Sequence, residues 1–158
     1  MAKKTALYGI LTAAALVCGY IEGLISLPVP VPGIKLGLAN CISLTLLYSG
    51  DRRGAFFVNT VRTVLSALLF SGPFSLIFSL PAGLLSLSAA TAFSKCRKVS
   101  VLGVSVAGAA VHNTVQLCAA CMVFGSSVWY YLPFLLISAL VCGCLTGLVD
   151  QRVLKAKI

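Results

Sequence analysis

The sequence predicts an all-α integral membrane protein, a bundle of six transmembrane helices that forms a single domain over residues 1–158. Three observations lead to this fold class. Hydrophobic residues make up 59% of the chain and charged residues only 9%, whereas a soluble domain carries about a quarter charged residues. The mean hydropathy is +1.06. A spanning helix needs roughly 20 residues, so a chain of 158 residues can hold about six spans and little else.

The basic residues are distributed as in a multi-pass membrane protein. The chain has 12 Lys and Arg residues and a formal net charge of +9. All but two of them fall in four short clusters between apolar stretches: Lys3 and Lys4; Arg52 and Arg53; Lys95, Arg97 and Lys98; Arg152, Lys155 and Lys157. With six spans, every cluster lies on the same side of the membrane, as the positive-inside rule requires. The pattern predicts a multi-pass membrane protein with both termini in the cytoplasm. It indicates a lipid bilayer as partner and no nucleic acid.

The first predicted helix covers residues 5–22, and a loop that cannot be helical follows it. Two lysines, an apolar run and Cys18 resemble a lipoprotein signal, but such a signal needs a small residue before the cysteine, and Val17 is not small. We therefore expect this helix to be retained. In the loop, residues 23–33, Pro28, Pro30 and Pro32 exclude a helix.

Five further helices follow, separated by polar segments or by segments rich in Gly and Pro. The breaks are Gly-Asp-Arg-Arg-Gly at 50–54, Ser-Gly-Pro at 71–73 and Gly-Ser-Ser at 125–127. The predicted helices cover residues 36–49, 55–70, 74–93, 99–124 and 128–149. Trp129, Tyr130 and Tyr131 open the last helix on the side without basic clusters, where an aromatic belt is expected.

The cysteines predict neither a metal site nor a redox site. Six of the seven lie in apolar segments, where Cys behaves as a small hydrophobic residue. Cys118 and Cys121 match half of a zinc or redox motif, but no second pair or second histidine completes it. A haem would need paired axial ligands, and the chain has a single His. We therefore predict no metal and no cofactor.

Two basic residues, Lys35 and Arg62, lie outside the clusters, within or at the mouth of apolar segments. A charge in such a position costs several kcal/mol unless it is paired or hydrated. Arg62 shares one helical face with Asn59 and Ser66. Because Glu22 is the one acid within the predicted spans, the surplus of positive charge leaves room for an anionic or strongly polarised ligand.

Further polar groups point to the same region. The fifth helix carries a polar stripe near its middle, and the loop that leads into the second helix, residues 28–40, is irregular and rich in proline. Such a broken backbone in a membrane protein indicates a transport site, because it offers free polar groups to a ligand. We predict a small-molecule site in the outer half of the bundle, closed by the loop Pro28–Gly33 and formed by Lys35, Asn40, Arg62, His112, Asn113 and Gln116. Two alternatives remain: the polar groups satisfy one another between helices, or the loop is an ordinary outer loop.

The first helix carries small residues at Ala6, Gly9 and Ala13, spaced i, i+3 and i+7. Small residues at such spacing allow two membrane helices to approach closely. The partner helix could belong to another protein or to the same bundle.

Several of these stretches together resemble the Gx transporter family, which also carries the name heptaprenyl diphosphate synthase component I. The resemblance rests on Pro-Gly-Ile-Lys-Leu-Gly-Leu-Ala-Asn at 32–40, Arg62 with Leu65 and Ser66, Gly-Leu-Leu-Ser-Leu at 83–87, and the stretch from Gly103 through His112, Asn113 and Gln116. It covers nearly the whole chain. The family is similar to the substrate-binding S components of energy-coupling factor (ECF) transporters.

The resemblance implies a six-helix subunit of the bacterial inner membrane that captures a vitamin or a related small molecule. It also implies docking onto a transmembrane T component that works with two ATPase subunits. S components dock through small residues on their first helix, which correspond here to Gly9 and Ala13, although the usual Ala-x-x-x-Ala pattern is only approximately kept.

The sequence does not predict an enzyme. Prenyl-diphosphate synthases hold magnesium with aspartate-rich clusters, since hard cations need several oxygen ligands. This chain has three acidic residues in all, and they are far apart: Glu22, Asp51 and Asp150. It has no P-loop to energise transport by itself. A membrane accessory subunit of isoprenoid or quinone synthesis remains the alternative to a transport function.

Overall fold

The computed structural model describes residues 2–24, 38–96 and 98–156, and this part of the chain is an all-α bundle. Its α-helices are α1 (Ala2–Leu24), α2 (Leu38–Tyr48), α3 (Arg52–Ser66), α4 (Leu76–Phe93), α5 (Val101–Phe124) and α6 (Leu132–Ala156). The predicted fold class is confirmed. Five helical segments are long and apolar enough to cross a membrane, and α2 is a shorter apolar helix.

The helices end where turn residues stop them. Asp51 caps α3 by accepting a hydrogen bond from the backbone N–H of Gly54 at 3.0 Å. After α3 the chain continues as a π-helical turn to Gly72, whose φ of 81° is unfavourable for residues with a side chain. Gly125, with a φ of 91°, ends α5 in the same way.

One predicted boundary is wrong in a way that matters. We expected the sixth helix to end at Val149, but α6 continues to Ala156. Residues 150–156 contain neither Gly nor Pro, and Lys155 lies in the last turn, where a cation interacts favourably with the helix dipole. As a result Asp150 is an internal residue of α6 and has no solvent exposure.

Contacts between helices fix their directions. The hydroxyl of Tyr8 donates to Asp51 at 2.5 Å, and the ring of Tyr20 packs on that of Phe70, so α1 and α3 run parallel. Thr45 donates to Asp150 at 2.9 Å, which sets the end of α2 beside the end of α6. Ser94, next to the cluster of Lys95 and Lys98, lines a surface pocket together with Asp51 and Arg52. The described members of all four basic clusters therefore lie at one end of the bundle, and all of them are exposed. We call this the basic end and the other the uncharged end.

The outer surface of the bundle is apolar. Large hydrophobic side chains are exposed along several helices, for example Ile10 on α1, Met122 on α5 and Ile137 on α6. A water-soluble monomer rarely exposes such continuous apolar surface. This surface is the expected boundary with lipid tails, and it identifies the chain as a multi-pass membrane protein.

Small residues allow the helices to pack closely. A Cβ atom added at Gly143 would lie 2.7 Å from the Cα atom of Val106, and one added at Gly147 would lie 2.8 Å from the Cα atom of Leu102. The glycines on α6 therefore allow this helix to pack directly against the backbone of α5. An apolar core that includes Leu47, Val58 and Leu87 fills the basic end.

Candidate functional site

A cavity of about 790 Å³ lies between the helices, within the size range of small-molecule sites. Ser71, Phe74 and Tyr131 line it at the uncharged end, whereas Val104 and Asp150 line it deep in the bundle. Every helix contributes lining residues, so the cavity is a product of the whole bundle. We predicted a cavity in the outer half of the protein, and the observed one reaches further towards the basic end.

Arg62 is the central cation of this cavity. Its Nη2 atom donates to Asn40 Oδ1 at 3.0 Å and to Asn59 Oδ1 at 3.1 Å. The carboxylate of Glu22 attracts the guanidinium electrostatically. The Nε atom of Arg62 is buried and has no hydrogen-bond partner among the described residues. Residues from α1, α2 and α3 thus hold the guanidinium in place and leave one donor available.

Gly83 on α4 completes the packing around this group. A Cβ atom at this position would lie 3.1 Å from Asn59 Nδ2 and 3.6 Å from Thr63 Oγ1. Because Gly83 has no side chain, Asn59 has room to accept the hydrogen bond from Arg62.

The predicted polar stripe of α5 also faces the cavity. His112, Asn113 and Gln116 all line it, and all three are partly buried. Asn113 Nδ2 donates to the backbone carbonyl of Leu135 at 2.8 Å. Asn113 therefore links α5 to α6, in agreement with the alternative that polar groups satisfy one another between helices. It also lines the cavity.

The structure brings five of the six predicted site residues to one cavity: Asn40, Arg62, His112, Asn113 and Gln116. Lys35 and the loop Pro28–Gly33 lie outside the described residues, and so do Arg97 and Lys157 of the basic clusters. The part of Lys35 in a ligand site stays a prediction.

The small residues of the first helix lie on the outside of the bundle. Ala6, Gly9 and Ala13 are exposed, and a Cβ atom added at Gly9 would meet nothing within 4 Å. This face therefore does not pack within the described part of the bundle. Whether another protein covers it stays a prediction.

The cavity holds a second polar group that was not predicted from the sequence. The Asp150 carboxylate is fully buried and lines the deep end, where its Oδ1 atom accepts a hydrogen bond from Thr45. Nearby, Ser105 and Thr146 share a hydrogen bond of 2.7 Å. The buried residues of α6 form the face that carries Asp150: Leu135, Ala139, Cys142, Gly143, Thr146, Gly147 and Asp150. They recur at three and four residues, which is one side of a helix.

Asp150 also alters the balance of charges in the cavity. We expected a surplus of positive charge there. That expectation counted Glu22 as the one acid within the spans, but Asp150 belongs to the cavity too. Among the described residues, Arg62 therefore shares the cavity with two acids, Glu22 and Asp150, rather than with one. The third acid, Asp51, lies at the basic end, where Tyr8 and the N-terminus of α3 bind it. Among the described residues no three His, Cys, Asp or Glu side chains form a group that could hold a metal ion.

An α-helical membrane protein with a polar, ligand-sized cavity between its helices is the class that this fold and site define. The chain matches the family described as heptaprenyl diphosphate synthase component I over residues 11–153, and it belongs to this family. The resemblance inferred from its motifs is thus confirmed. No curated protein and no solved structure matches the chain.

Proposed function

We propose that this protein is the substrate-capture subunit, or S component, of an ECF-type importer for a small micronutrient or precursor. The observation that carries the proposal is the cavity of about 790 Å³, whose polar groups come from helices far apart in sequence. Polar groups in a membrane interior are costly and are found where they bind substrates or ions. Interhelical contacts alone would not need space of this size beside them.

The two ends of the bundle support capture from outside the cell. The positive-inside rule predicts that the basic end faces the cytoplasm. The cavity reaches Phe74 and Tyr131 at the opposite end, whereas the apolar core lies at the basic end. A ligand would therefore enter from outside and stop within the bundle, as in a binding subunit rather than in an open channel.

Partner subunits supply the energy in this proposal, because the chain has no P-loop. The exposed face around Gly9 and Ala13 is the proposed contact with a T component. Without side chains longer than a methyl group at these two positions, a partner helix can approach the backbone of α1 closely. The T component then connects this subunit to two ATPases.

The family description favours a second candidate, a membrane accessory subunit of a prenyl-diphosphate synthase. The two functions require different partners, so affinity purification of the tagged chain from its native membrane separates them. A T component and two ATPases in stoichiometric yield support the importer. A soluble prenyltransferase without ATPases supports the accessory subunit and rejects our proposal.

A further inference from the structure

Further polar side chains on α2, α5 and α6 lie deeper in the bundle than Arg62. We call this set the floor cluster, and it comprises one carboxylate and four hydroxyl groups: Asp150, Ser43, Thr45, Ser105 and Thr146. Asp150 is fully buried, and Ser43 and Thr146 are 3% and 5% exposed. All members except Thr45 line the cavity.

The hydrogen bonds of the floor cluster are incomplete. Asp150 Oδ1 accepts from Thr45, and Ser105 and Thr146 satisfy each other. Asp150 Oδ2 and Ser43 Oγ are buried and have no hydrogen-bond partner among the described residues. Buried polar atoms in proteins are nearly always paired, so two orphaned oxygens lining one cavity indicate a missing partner.

A partner that bonds to both oxygens is a hydrogen-bond donor when Asp150 is ionised, because a carboxylate only accepts hydrogen bonds and a hydroxyl accepts as well as donates. A nearby positive charge favours the ionised form of a buried carboxyl group. A protonated amine offers three N–H donors together with the charge that a buried carboxylate needs. Within the described residues Asp150 has no ion pair that would supply this charge. A metal ion fits less well, because hard cations take about six or more oxygen ligands and two oxygens are available here.

The floor cluster and Arg62 lie at different depths of the same cavity. Arg62 bonds to Asn40 of α2, and Asp150 bonds to Thr45 of the same helix. Five residues of α-helix span about 7.5 Å. The cavity therefore presents a cation and an anion to a ligand at two levels.

We propose that the substrate is a dipolar small molecule, with an anionic or acceptor group held at Arg62 and a protonated amine held at Asp150 and Ser43. This inference rests on the proposed function and specifies its substrate class. It is consistent with the charges of the described cavity residues, since Arg62 shares the cavity with two acids, Glu22 and Asp150.

The experiment uses native mass spectrometry of the purified full chain, exposed to the small-molecule fraction of yeast extract. One portion of the extract is untreated and the other is N-acetylated, which removes the charge of primary amines. The wild type should bind an adduct from the untreated extract only. Asp150→Asn keeps the size of the side chain and an acceptor for Thr45, and it should weaken that adduct at least tenfold. Asp51→Asn, an acid outside the cavity, is the matched control and should bind like the wild type.

Ser43→Ala is a second variant in case Asp150→Asn does not fold, and it should weaken the adduct several-fold. The amine site is overturned if the adduct also forms with the acetylated extract, or if the ligand binds equally well to Asp150→Asn. In either case Arg62→Ala still tests the capture function separately. A melting temperature that rises in sodium chloride but not in choline chloride, and that does not rise in Asp150→Asn, would show that the floor cluster binds an inorganic cation. This result also overturns the inference. If the wild type binds nothing from either extract, the proposed function fails as well.

Discussion

Asp51 shows how a single residue can stabilise the basic end of the bundle. Its carboxylate accepts hydrogen bonds from the Tyr8 hydroxyl and from the Gly54 backbone, and so it joins α1 to the start of α3. The Tyr8 hydrogen bond, followed by that of Gly54, holds the pKa of Asp51 below its usual value. Lys4 lowers this pKa further by charge attraction.

The lowered pKa of Asp51 predicts a pH dependence of stability. A carboxyl group whose pKa is lower in the folded state contributes stability above its unfolded pKa, about 3.9, and loses it as the pH falls through the folded value. We expect the melting temperature of the wild-type protein in detergent to decrease as the pH is lowered below about 4. Asp51→Asn, which keeps a good N-cap, should be less stable at pH 7 and should show a smaller acid loss.

Two tyrosine variants on α1 serve as the test and the control for the role of Asp51. Tyr8→Phe should reproduce the effect of Asp51→Asn, whereas Tyr20→Phe should retain the wild-type pH profile. Parallel melting curves for the wild type and Asp51→Asn between pH 7 and 3 would show that this carboxylate does not contribute.

At the scale of the element, α6 illustrates how glycines set the distance between helices. Gly143 and Gly147 contact the backbone of α5, where Val106 and Leu102 cannot yield without moving the helix. We expect Gly143→Leu to destabilise the protein by about 1–3 kcal/mol, the usual cost of overpacking. Thermal unfolding in detergent measures the effect. Gly9→Leu is the matched control, because a side chain at Gly9 meets open space; equal losses in both variants would contradict the packing argument.

The same α1 variant tests the docking face. Gly9→Leu and Ala13→Leu should leave the isolated protein folded and lower its co-purification with a T component, because the larger side chains hold a partner helix away. Leu7→Phe adds bulk at an exposed position on a different side of α1 and should not affect complex yield. Full complex yield from both small-residue variants would remove this face from the interface.

At the scale of the whole molecule, the placement of all described basic clusters at one end predicts the orientation in the membrane. In a cysteine-free background, Ser126→Cys should react with an impermeant thiol reagent on intact cells, and Arg52→Cys should not. These two positions bracket α3, α4 and α5, so the experiment tests whether the chain crosses the membrane an odd number of times between them. The reverse labelling pattern contradicts the predicted orientation.

Much of this architecture follows from local chemistry, and the rest does not. Pro73, Gly125 and the polar turn at Asp51 end helices by their own backbone or charge preferences, so their positions could be predicted. The stripe of Arg62 and Asn59 could also be predicted, because one helix determines which residues share a face. The role of Asp150 could not, since hydropathy falls at every charged residue whether it is buried or exposed. Its hydrogen-bond partner, Thr45, lies 105 positions away in sequence.

The central claim is that the cavity around Arg62 captures a small molecule, and native mass spectrometry of the purified protein in nanodiscs tests it most directly. After exposure to the small-molecule fraction of yeast extract, the wild type and Gly9→Ala should each carry one bound molecule per chain. Arg62→Ala should insert and fold normally but lose this adduct, because the cation that orients the ligand is gone. A wild type without any adduct, or an adduct of equal occupancy in folded Arg62→Ala, would contradict the claim.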